Sequence, residues 1–101
     1  MEAVSGVLDL KYHEGRETNR ALKYRLWRRT KEVKREITEY FGVKKVNLLD
    51  IGTADAKMLT SLCDQLPIIR SFGVDYSLDL LKTNKDKRLF LVNSDALFLP
   101  F

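Results

Sequence analysis

The chain has 101 residues, of which 45% are hydrophobic and 32% charged, a composition that fits one small globular domain and excludes a disordered low-complexity polymer. No apolar run approaches the roughly 20 residues that span a bilayer, and Met1 to Leu10 carries Glu2 and Asp9 but no basic residue, so it lacks the charged n-region of a signal peptide and a cytoplasmic location is expected. The net charge of +4 is uneven: Arg16 to Lys45 holds eleven Lys or Arg against four Glu, which leaves the remainder mildly acidic.

Met1 to Gly15 shows no sustained periodicity and reads as an irregular arm. From about Glu17 to Phe41 the pattern is helical. Leu22, Leu26, Val33, Ile37 and Phe41 recur at steps of four, seven, four and four, which stacks them on one face, with Trp27 and Tyr40 at its flanks. Thr18 is the expected N-cap and Gly42 the expected C-terminal cap. Val46 to Ile51 is a short apolar run ending at Gly52 and reads as a buried strand. Ala56 to Leu66 returns to helical spacing until Pro67 stops it. Ile68 to Asp75 is a second strand. Ser77 caps a helix expected to run through Asn84, and Arg88 to Asn93 is a third strand.

The order is therefore a long helix followed by strand, helix, strand, helix, strand. Such alternation predicts right-handed crossovers, a parallel sheet and a Rossmann-like α/β class. Two parts are expected: residues 1–45 as arm and basic helix, and residues 46–101 as an incomplete ligand-binding half-domain. The single cysteine, Cys63, lies among Leu59, Leu62 and Leu66 and reads as a small core residue. No metal-ligand spacing is present.

In parallel α/β sheets ligands bind outside the carboxyl ends of the strands. Each of the three strand ends here carries an acid: Asp50, Asp75 and Asp95. After the first comes Gly52, which permits a tight turn and close approach of a ligand to the backbone. Thr53 follows, and then small Ala54 and Ala56.

These segments resemble the cofactor-binding motifs of class I S-adenosylmethionine-dependent methyltransferases. Leu48-Leu49-Asp50-Ile51-Gly52-Thr53-Ala54-Asp55-Ala56 is similar to the family's first motif, with alanines in place of the second and third glycines. The resemblance implies that this loop wraps the methionine end of S-adenosylmethionine. It implies that Asp75, in Phe72-Gly73-Val74-Asp75-Tyr76-Ser77, accepts hydrogen bonds from both ribose hydroxyls, and that Tyr76 packs near the adenine. It implies that Asp95, in Asn93-Ser94-Asp95-Ala96-Leu97-Phe98-Leu99-Pro100-Phe101, meets the adenine amino group while Ala96 offers a backbone N–H. The implied cofactor-binding set is Asp50, Gly52, Thr53, Ala54, Asp75, Tyr76, Asp95 and Ala96, with no metal and no nominated catalytic base. The methyl acceptor is not specified by these residues. The nicotinamide fingerprint G-x-G-x-x-G fits less well, because Ala54 and Lys57 stand where its second and third glycines belong.

The basic helix reads first as a solvated outer face. The other readings are a surface for nucleic acid or for another anionic partner, and Tyr12 and His13 as part of a lid over the cofactor. A full domain of this family has about seven strands, with the first strand in the middle. Strand 46–51 is therefore expected to show an open edge and bare apolar surface. Self-association, a partner chain that completes the sheet, or cover from the N-terminal helix would each answer that exposure. A non-catalytic Rossmann-like interaction module is the alternative to an enzyme.

Overall fold

The computed structural model describes residues 10–95 and Leu97. Its elements are α1 (Leu10–Thr18), α2 (Arg20–Phe41), β1 (Val46–Ile51), α3 (Lys57–Gln65), β2 (Ile68–Asp75), α4 (Leu78–Lys82) and β3 (Leu89–Asn93). The three strands form one sheet in the order β1-β2-β3, and both pairings are parallel. The class is α/β, as the alternation predicts.

Helical structure begins earlier than the periodicity suggests. Residues 10–15 are helical rather than irregular, and the single expected helix is two, broken at Asn19. Asn19 is the cap, not Thr18. Its side chain accepts hydrogen bonds from the Ala21 and Leu22 N–H groups at 2.9 and 3.2 Å, which satisfies donors that a helix start leaves orphaned. Thr18 instead returns its hydroxyl to the Glu14 carbonyl of the preceding turn. Gly42 does close α2: its φ is +62° and its N–H donates to the Thr38 carbonyl. Ser77 caps α4 as expected, accepting from the Leu80 N–H at 3.3 Å, but that helix ends at Lys82 rather than Asn84.

The strand register sorts side chains onto two faces. Successive strand residues point to opposite sides, so Leu48, Ser71 and Leu89, which lie in register, share one face, and Leu49, Phe72 and Phe90 share the other. The first face is covered by α3. Leu59 and Ala56 pack there with Leu89, and Leu48, Cys63 and Leu91 complete the cluster. Cys63 thus sits at the core, with its sulfur 2.9 Å from the Ser71 hydroxyl. Asn84, just past α4, donates to the Asp55 carbonyl and to the Thr60 hydroxyl of α3, so α4 lies on the same side.

The opposite face has no such layer among the described residues. Leu49 is 47% exposed, Ile51 51% and Phe90 53%. Phe72 and Phe90 stack on each other at 5.3 Å instead of beneath a helix. β1 is therefore not a buried strand: Asn47, Leu49 and Ile51 all face out, and β1 is a sheet edge. The N-terminal helices do not cover this surface. In α2 only Thr30 is buried, and the Leu22–Phe41 stripe is at best half-buried. No helix among the described residues is long and apolar enough to cross a membrane.

Gly73 leaves no room for a side chain. A Cβ built there would lie 2.8 Å from Thr53 Cγ2, 2.9 Å from Leu91 Cδ2 and 3.0 Å from Leu59 Cδ1. Overpacking of this kind forces neighbours off their rotamers. Gly73→Ala is expected to cost about 1–3 kcal/mol in a urea titration, whereas an alanine at Gly42, where no atom lies within 4 Å of the added Cβ, is opposed only by its left-handed backbone.

Candidate functional site

The three strand ends meet along one edge. Ile51 pairs with Val74 and Asp75 with Asn93, so Asp50, Asp75 and the Asp95 just beyond β3 line the carboxyl edge of the sheet. The loop from Gly52 to Ala56 folds over this edge. Gly52 and Thr53 both donate their N–H to the Val74 carbonyl, at 2.8 and 3.0 Å. Gly52 has a φ of +77°, and a Cβ placed on it would meet nothing within 4 Å. Its backbone is thus open to a ligand.

Ala54 and Ala56 keep the left-handed conformation that glycines favour, with φ of +56° and +57°. The loop shape is therefore that of a glycine-rich turn, held by other means. One of these is Asp75. Its Oδ2 accepts from the Ala54 N–H and its Oδ1 from the Ser77 N–H, both at 2.8 Å. Each oxygen retains a second lone pair, so the carboxylate is held in place and still able to accept from a ligand. Its backbone is also fixed: the Asp75 carbonyl accepts from the Ser94 N–H and from Asn93 Nδ2, and Asn93 Nδ2 reaches the Tyr76 carbonyl at 2.9 Å.

The remaining expected residues fall as follows. Asp50 is half-buried at the end of β1. Burial raises its pKa, against the opposing pull of the Thr53 hydroxyl and of the Arg16 and Arg29 charges; the Asp75 charge adds to the rise. Thr53 Oγ1 stands beside this carboxyl without meeting hydrogen-bond geometry, and it is buried with no partner among the described residues. Tyr76 projects its ring outward, 62% exposed. Asp95 accepts the Leu97 N–H at 2.8 Å through Oδ1. Ala96 lies outside the described residues.

The residue that the sequence did not single out is Asp55. Its side chain is fully shielded from solvent, and both of its oxygens are engaged from α1: Oδ1 by Arg16 Nη1 at 2.5 Å and Oδ2 by His13 Nδ1 at 3.0 Å. Arg16 is itself buried and lies over the Tyr12 ring at 4.6 Å. His13 and Arg16 thus tie α1 to the loop, with the Tyr12 ring beneath the Arg16 guanidinium. The signal available in the sequence was an acid between two small residues, with an Arg and a His three residues apart upstream.

No protein-family profile matches the chain, and no curated protein matches it. Among solved structures, the chain is similar to one from the complex between the Haloferax volcanii Trm112 methyltransferase activator and the candidate methyltransferase bound to it, with a TM-score of 0.64 at 23% identity. The match covers 95% of this chain and 43% of that one, so this chain spans less than half of its structural neighbour. A likeness at this identity establishes a shared fold.

Breaking a buried ion pair from one side leaves the other charge uncompensated, which costs about 3–5 kcal/mol. Arg16→Met, which keeps the volume and removes the charge, is expected to lower unfolding free energy by about 3 kcal/mol in denaturant. The exposed pair Arg28–Glu32, 3.2 Å apart, is screened by solvent, and Arg28→Met should leave the denaturation midpoint nearly unchanged.

Proposed function

We propose that the carboxyl edge of the sheet is an S-adenosylmethionine site, and that the chain is the cofactor-binding part of a methyltransferase-like protein. The observation that carries this reading is Asp75, a carboxylate oriented by two backbone N–H groups with one lone pair free on each oxygen. Two acceptors on one rigid group match the two adjacent hydroxyls of a ribose. The open backbone at Gly52 and the half-buried Asp50 beside it suit the cationic methionine end, with Thr53 and Ala54 closing the turn. The exposed Tyr76 ring suits the adenine face, and the Asp95 Oδ2 suits its amino group. When bound, the cofactor supplies a methyl group on a sulfonium for in-line displacement, a step governed by positioning and exclusion of water. The residues of this chain bind and orient; none is assigned as a base. The fold shared with a chain from a methyltransferase-activator complex supports the reading.

A second reading is supported by the bare sheet face. A non-catalytic Rossmann-like unit that docks another polypeptide, or a second copy of itself, through β1 and the Leu49–Phe72–Phe90 row would account for that apolar surface.

Calorimetric titration with S-adenosylmethionine and S-adenosylhomocysteine tests the first reading. Saturable binding is expected, and Tyr76→Ala should weaken it about five- to fiftyfold, the scale of one stacked base, with the melting temperature unchanged because the ring is exposed. Absence of saturable heat from a folded sample would count against the site. The pH dependence has a defined sign. Asp50 is raised when ligand-free, and a bound cation favours its ionised form, so binding releases a proton and affinity climbs as pH increases through the raised value. Asp50→Asn should flatten that climb. The second reading is tested by light scattering. The chain is expected to self-associate, and Leu49→Lys with Phe90→Lys should return it to a monomer.

A further inference from the structure

Some cations of α2 are ion-paired and others are not. Arg28 is paired with Glu32 at 3.2 Å and Arg35 lies 3.9 Å from Glu36, so part of the basic surface is internally compensated. Lys23, Lys31 and Lys34 have no ion-pair partner among the described residues, and all three line one hollow of about 640 Å³ between α2 and α3. Trp27 lines the same hollow and is 57% exposed. Residues 23, 27, 31 and 34 recur at helical steps of four, four and three, which sets them in one stripe about 16 Å long at the usual rise of ~1.5 Å per residue. Lys31 Nζ stands 5.0 Å from the Trp27 ring centroid, and Tyr24 extends the aromatic surface, 5.9 Å away. On the α3 side the hollow reaches from Gln65 to Lys57, the first residue after the Gly52–Ala56 loop, so it leads up to the carboxyl edge of the sheet.

We propose that this groove binds single-stranded nucleic acid, with Trp27 as a stacking platform and Lys23, Lys31 and Lys34 as phosphate contacts. Large aromatic side chains in water are costly unless something covers them, and this one lies in a concave, positively charged setting. A single strand offers a π-face and a negative charge at each nucleotide, the pairing that an alternation of Lys and Trp along one stripe complements. A duplex has its bases already stacked and would meet only the lysines. An acidic peptide or an anionic lipid surface would likewise use the charges and leave the ring idle. The proposal stands on α2 and α3 and does not require the cofactor site.

Trp27 is the sole tryptophan of the chain, so its fluorescence reports on the groove directly. A 12-nucleotide single-stranded RNA is titrated into the intact chain at several salt concentrations, following Trp27 emission and the anisotropy of a labelled strand. Saturable quenching is expected, with log affinity falling against log salt at a slope near −2 for three phosphate contacts. Trp27→Ala should weaken anisotropy-detected binding about five- to hundredfold. Replacement of Lys23, Lys31 and Lys34 by Ala should weaken it at least tenfold, while Lys11→Ala, Lys44→Ala and Lys45→Ala together, an equal loss of charge outside the groove, should change it less than twofold. No saturable binding at low salt by a helical sample overturns the proposal. So does equal weakening by the two lysine triples, equal affinity for a duplex, or tighter binding of a poly-glutamate peptide or of phosphatidylserine vesicles.

Discussion

A carboxylate cannot be taken out of water without compensation, and the burial of Asp55 sets the terms for the N-terminal half of this protein. The α1 sequence, Leu10–Thr18, has little apolar surface of its own, and its buried residue is Arg16. What docks it is therefore electrostatic: Arg16 supplies the charge, and Arg16 and His13 the hydrogen bonds, that Asp55 needs. Once α1 is fixed, Asn19 turns the chain into α2, and Leu22 of α2 packs so near Gly15 of α1 that a Cβ there would come within 2.8 Å of it. The same contact holds the loop from Gly52 to Ala56 from behind, because Asp55 is its central residue.

That loop is where local preference and tertiary context disagree. A left-handed alanine costs about 1 kcal/mol, and two of them stand within three residues. Such a conformation persists when its surroundings over-determine it. Here the Ala54 N–H is held by Asp75, the Asp55 side chain by α1 and the Asp55 carbonyl by Asn84. Both methyl groups are also buried, at 3% and 0% exposure, which returns some of the cost as apolar burial. The loop thus holds at two alanines a backbone conformation that glycine would adopt with less strain.

The elements legible in the sequence were those with a strong local cause. Apolar runs bounded by Gly52, Pro67 and Asp75 placed β1 and β2 to the residue, and Gly42 and Ser77 marked the caps of α2 and α4, because turn and cap chemistry acts over a few residues. The acids at the strand ends were likewise readable once the strands were. Less legible were features that depend on partners distant in the chain. The helicity of residues 10–15 rests on the contact with Asp55 and not on a hydrophobic repeat. The exposure of Leu49 and Ile51 is a matter of which face is covered, which an apolar run does not encode. The roles of Asn84 and Asn93, clamping the loop and the Asp75 carbonyl, come from side chains with no periodicity to announce them.

The strand order carries a kinetic consequence. Because spatial order follows chain order, β1, β2 and β3 each pair with the strand next in sequence, and their closures span only about twenty residues. Short closures lose little chain entropy and form early. The Arg16–Asp55 contact closes a longer loop, 39 residues apart, and its donor and acceptor gain little until the turn that presents Asp55 exists. The sheet with α3 is thus expected to form before α1 docks, and substitutions at Arg16 are then expected to act mainly by hastening unfolding, leaving the folding rate nearly unchanged.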